Sequence, residues 1–133
     1  MAALIDSSVF IAGDRGRINL RDLLASLGDE PLALSAVTAS ELLYGLHRAQ
    51  TPAQRDRRNA YVEAIFSQMT VLAFDLDVAR VHAAVSAQLD RAGRRVGAHD
   101  LIIAATAIAH DYRVATRDLR SFPKIQGLET VRI

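Results

Sequence analysis

The sequence predicts an α/β fold on a mostly parallel sheet of four to five strands flanked by helices. Two observations carry that expectation. Short apolar runs alternate along the chain with stretches of helical periodicity, the pattern of strand–helix–strand units. One of those helical stretches, residues 99–111, is apolar almost all round and belongs in an interior. Size agrees: 133 residues, 50% hydrophobic and 23% charged, make one globular domain over residues 1–133 and exclude disorder.

Taken in order, residues 2–6 form the first strand, and residues 7–13 and 20–27 are helical, with a polar connection between them. The second strand covers residues 31–35. A helix over residues 38–50 is opened by Thr38 and Glu41, which stand at capping-box spacing. Thr51-Pro52 starts another helix, because proline suits a first turn, and it runs to about residue 68. Residues 70–74 are the third strand. Asp75 caps the next helix, which stops at Ala92-Gly93. The buried helix over residues 99–111 leads to strands over residues 113–116 and 129–133.

Composition removes whole classes of chemistry. There is no Cys, so disulfide frameworks, thiolate zinc sites and cysteine nucleophiles are excluded. The longest uncharged stretch, residues 64–74, falls far short of the about 20 residues that span a bilayer. The start has no basic n-region, which argues against a signal peptide and for a cytoplasmic protein. The formal charge is +1, and Lys124 is the only lysine among sixteen basic residues. GC-rich coding explains most of that arginine bias, yet guanidinium groups also suit planar, bidentate phosphate contacts.

In parallel sheets, ligands bind beyond the carboxyl ends of the strands. Asp6 ends the first strand, Glu41 and Asp100 lie in the first turns of their helices, and Asp118 follows the fourth strand. Each acid alone has an ordinary explanation: a cap for Asp6, the capping box for Glu41, the helix dipole for Asp100, an Asx-turn for Asp118. Asp75 is read as a plain helix start. Four carboxylates at one edge repel one another unless a cation joins them. An all-oxygen set favours Mg²⁺ or Mn²⁺, which is the arrangement for hydrolysing a phosphodiester.

Four segments then resemble a known family. Leu4-Ile5-Asp6-Ser7-Ser8, Ser40-Glu41-Leu42-Leu43-Tyr44-Gly45, the run from Gly97-Ala98-His99-Asp100 to Ala107, and Thr116-Arg117-Asp118 with Phe122 resemble, in order, the motifs of PIN-domain nucleases of the VapC toxin type. The resemblance implies a three-layer PIN-like fold and an Mg²⁺-dependent endoribonuclease, with Mn²⁺ as a substitute. Its metal-binding acids would be Asp6 and Asp100 directly, and Glu41 and Asp118 partly through water. Thr116 and Ser7 would orient ligands or water. The implied partners are RNA, a VapB-like antitoxin, and a second copy in a homodimer or toxin–antitoxin hetero-oligomer. The alternative is a catalytically silent PIN-like module that binds RNA or protein.

Other residues are weighed against this site. The four histidines form no zinc-binding pair; His99 adjoins Asp100 but points elsewhere on a helix and reads as surface. Without a His pair, metal-free cleavage by 2′-hydroxyl attack is disfavoured. Gly45 inside a helix reads as a close-packing contact. Arg94, Arg95 and Arg117 are candidate RNA contacts. With aromatics at 5% and no Trp, backbone recognition is favoured over base stacking.

Overall fold

The computed structural model describes residues 2–133. Five strands, β1 (Ala3–Ile5), β2 (Leu32–Ser35), β3 (Thr70–Leu72), β4 (Arg113–Thr116) and β5 (Thr130–Arg132), form one sheet in the order β3-β2-β1-β4-β5. All four pairings are parallel. Every strand therefore ends at the same edge. The central strands are apolar on both faces, as parallel strands covered by helices must be.

Alternation along the strands splits the core in two. Leu4, Ala33 and Val114 point to one face and pack with Ile103, Ala104 and Ala107 of α6 (Ala98–His110) and with Val85 and Leu89 of α5 (Leu76–Ala92). Ala3, Ile5, Leu34 and Ala115 point to the other, against α1 (Ser7–Asp14), α3 (Ala36–His47) and α4 (Pro52–Gln68). The short α2 (Leu20–Ala25) covers the rim of this second layer. The result is the three-layer arrangement expected. Ile103 is fully buried, and its removal to Ala costs about 2–5 kcal/mol at such a position.

Two local expectations are corrected. The helix carrying Glu41 begins at Ala36, and its N-cap is Ser35, whose hydroxyl accepts from the Thr38 N–H at 3.2 Å. Thr38 is inside the first turn, so no Thr38–Glu41 capping box exists and the Glu41 carboxylate is free for other work. Gly45 is not a close contact, because a Cβ there would meet nothing within 4 Å. The close approach is at Gly13, where a Cβ would lie 2.5 Å from the Tyr61 hydroxyl oxygen. Asp75 does cap α5, accepting from Val78 N–H at 3.0 Å.

Candidate active site

The strand-end edge collects the buried polar groups. Asp6, Ser35, Thr38 and Thr116 are all buried there, and Asp6 keeps only 2% of its surface exposed. Asp6 stands at the N-cap position of α1, yet its side chain makes no cap hydrogen bond. Its carboxylate instead receives the Ser8 hydroxyl at 2.7 Å and the Thr116 hydroxyl at 2.9 Å, both on Oδ2. The Ser7 hydroxyl is 3.5 Å from Oδ1, a long contact that leaves this oxygen almost open. The Asp118 N–H donates to Thr116 at 2.9 Å and the Arg117 N–H donates to Ser8 at 3.1 Å. The loop after β4 thus locks both hydroxyls that hold Asp6. Burying an acid this deeply is tolerable only because such donors satisfy it.

Asp100 lies in the first turn of α6. Burial pushes its carboxyl above the usual carboxylate range; the Ser121 hydroxyl offsets part of the shift, and the charges of Asp6 and Asp118 push it up further. Those three acids therefore share one electrostatic site. Asp118 is held the other way, below the usual range, by Arg120. The Arg120 Nε and Nη2 donate to the two carboxylate oxygens at 3.0 and 3.1 Å, and its backbone N–H donates to Oδ1 at 2.9 Å. The Asx-turn considered for Asp118 is real, and the same carboxylate also faces the site.

Glu41 joins from α3 through His99, whose Nδ1 is 3.1 Å from Oε1. His99 is thus part of the site's surround. On its own helix it does diverge from Asp100, but α3 presents an acid to it from outside, which helix geometry within α6 could not reveal. Ser8, Arg120 and Ser121 were also missed. Ser8 gives a signal in the sequence, a hydroxyl two residues after Asp6 within the first motif. Arg94 and Arg95 lie further round, beside the 3₁₀ turn Phe122–Lys124: Arg94 Nη1 donates to the Lys124 carbonyl at 3.4 Å and Lys124 Nζ to the Arg95 carbonyl at 3.2 Å. Arg117 is exposed at the site's rim.

No three acids or histidines among the described residues stand close enough to enclose a cation by themselves. The donor chemistry nevertheless suits one. The oxygens are hard, Asp6 Oδ1 has one long hydrogen-bond partner, and Asp100 is held above its usual range by burial and by two like charges that a divalent cation would offset. Ligands of this kind suit Mg²⁺ or Mn²⁺, with water and a substrate phosphate completing the shell.

Two hollows flank the acids. One, of about 650 Å³, runs past Ser8 and Asp118; the other, of about 720 Å³, runs past Ser7, Glu41 and His99. No helix among the described residues is long and apolar enough to cross a membrane.

The comparisons with known proteins agree with this fold. The PIN domain family model matches residues 3–128. Ribonuclease VapC1 of Rickettsia felis is 32% identical over 133 residues, covering 100% of this chain and 97% of that one. The solved VapBC-5 of Mycobacterium tuberculosis, a member of the VapBC family of toxin-antitoxin systems, superposes with a TM-score of 0.77 at 34% identity, covering 99% of this chain and 98% of that one. DNA-bound VapBC from Salmonella typhimurium gives a TM-score of 0.88 at 26% identity, with 99% and 98% coverage. With the family model spanning nearly the whole sequence and a relative matched along all of it, this chain belongs to the PIN-domain family, among the VapC ribonucleases.

Proposed function

We propose that the chain is a divalent-metal-dependent endoribonuclease that hydrolyses RNA phosphodiesters with water as the nucleophile. In this reading it acts in the cytoplasm as the toxin of a VapBC-type pair. Relatives named ribonucleases and solved VapBC complexes support the activity and a VapB-like partner. The observation that carries the site is Asp6: a carboxylate 2% exposed, fixed by two hydroxyls, whose charge is felt by Asp100.

Asp6 and Asp100 would hold Mg²⁺ or Mn²⁺, with Asp118 and Glu41 acting partly through water. Once bound, such a cation supplies an activated water and stabilises the leaving oxygen. The chain's own residues set the stage for that. Ser8 and Thr116 fix the rotamer of Asp6 through Oδ2 and leave Oδ1 with only the long Ser7 contact. Ser121 steadies Asp100. His99 orients Glu41 when its Nδ1 carries the proton. Arg120 supplies Asp118 with a counter-charge. A silent binding module has no use for an acid buried at this cost.

Incubation with RNA tests the proposal. Cleavage should require Mg²⁺ or Mn²⁺, stop with a chelator, and leave 5′-phosphate and 3′-hydroxyl ends. A 2′,3′-cyclic phosphate product overturns it, because that product means attack by the 2′-hydroxyl.

A further inference from the structure

We infer that the hollow beside Asp118 is the binding site for the RNA backbone, with Arg17, Arg117 and Arg132 taking successive phosphates and Arg120 neutralising Asp118. The inference rests on the nuclease reading for its substrate and adds where the strand lies. Four guanidinium groups line this hollow of about 650 Å³, and Asp118 is its only acid. It is continuous with the site, because Ser8, which holds Asp6, is part of its wall.

The arginines are placed by the fold. Gly16 adopts φ +70° after α1, its N–H donates to the Gly13 carbonyl at 3.1 Å, and the Arg17 N–H returns to the Ala12 carbonyl at 3.0 Å. This is a Schellman turn, and it folds Arg17 back over the helix end. The parallel register of β4 and β5 pairs Thr116 with Arg132, putting Arg132 one strand away from the hydroxyl that binds Asp6. Arg117 is anchored by its backbone on Ser8. Among the described residues, Arg17, Arg117 and Arg132 pair with no Asp or Glu side chain, and Arg117 makes only a long contact, 3.4 Å, to the Ile133 main-chain oxygen.

The second hollow differs. It carries Asp14 and Glu41 among its arginines, Arg48 lies 5.6 Å over the Tyr44 ring, and Arg58 donates to the Gly45 carbonyl at 2.9 Å. Its charges are mixed or already engaged. The first hollow has no aromatic residue, so it offers bases no stacking surface and offers phosphates bidentate donors. Binding there is sequence-tolerant and steeply salt-dependent.

The test uses Arg17→Gln, Arg132→Gln and the double variant, with exposed Arg80→Gln on α5 as a control of equal charge. Binding of a labelled single-stranded RNA and its cleavage in Mg²⁺ are read on the same preparations across a salt series, after thermal melts confirm folding. The double variant should bind at least about 10-fold more weakly and show a correspondingly higher KM, with kcat changed no more than about twofold. Its salt slope should fall by about one per arginine removed, and Arg80→Gln should match the parent. Unchanged affinity and slope with cleavage intact overturn the site and leave the nuclease reading standing. RNA binding that weakens as described in a parent that never cleaves overturns the nuclease reading and leaves the site. Polyglutamate that displaces the RNA at equal charge concentration also overturns the site, because the hollow would then recognise acidic protein.

Discussion

Burial and the charges of Asp6 and Asp118 lift the Asp100 carboxyl above its ordinary value, so its ionised form opposes folding. Between the unfolded value near 3.8 and the raised folded one, the native state binds more protons than the unfolded state. Stability therefore falls as pH rises through that window and stays lower at pH 7. Asp100→Asn keeps the volume and removes the charge. It should raise stability at pH 7 by a few tenths to about 1 kcal/mol, since partial exposure screens the effect, and the gain should vanish below about pH 4. Thermal melts across pH check this. A variant destabilised at pH 7 would mean that Asp100 serves the helix dipole, not the site. At this scale Asp6 and Asp100 were legible because one follows a strand end and the other lies in a first turn, whereas Glu41 lies in the second turn of α3, since that helix starts at Ala36. The partners Ser8, His99 and Ser121 were not, because hydrogen bonds between elements leave no local pattern.

Glycines decide how closely the helices of the second layer meet. Tyr61 of α4 donates its hydroxyl to the Phe10 carbonyl of α1 at 2.7 Å, and burial, with Asp14 nearby, pushes its pKa up to about 12. The missing Cβ of Gly13 makes room for that hydroxyl. Gly13→Ala should cost about 1–3 kcal/mol through overpacking and a displaced hydrogen bond. Gly45→Ala should do the reverse and add about 0.5–1 kcal/mol, since the helix there has open space beside it. Urea titrations of both variants check the pair; shifts of the same sign contradict this account. The Gly45 expectation failed because helical position alone does not say which glycine faces a neighbour. The Thr38 cap failed for a related reason: Ser35 is both the last residue of β2 and the cap of α3, and a strand that flows directly into a helix hides the boundary.

The molecule as a whole carries a formal charge of only +1, so its electrostatics lie in how charge is segregated. Asp6 and Asp100 lie close to a hollow lined by four arginines. A divalent cation that binds the native acids should stabilise the fold by about 2.7 kcal/mol at 100 times its Kd, and Asp6→Asn should abolish most of that response. Melts with and without Mg²⁺ measure it, and an equal response in both proteins removes Asp6 from the metal site. The α/β class and the run of elements were readable because periodicity is local. The sheet order was not, since nothing in the residues of β1 says that its neighbours are β2 and β4.

That order governs when the protein can come into being. β1 precedes the other four strands of the sheet in the chain and is the middle one, and one of its edges stays open until residues 113–116 arrive to pair with it. Asp6 gains the Thr116 hydroxyl only at the same moment. A nascent or truncated chain ending before β4 therefore has neither a closed sheet nor an assembled site. A ribosome making this chain carries no assembled site until residues 113–116 have been added.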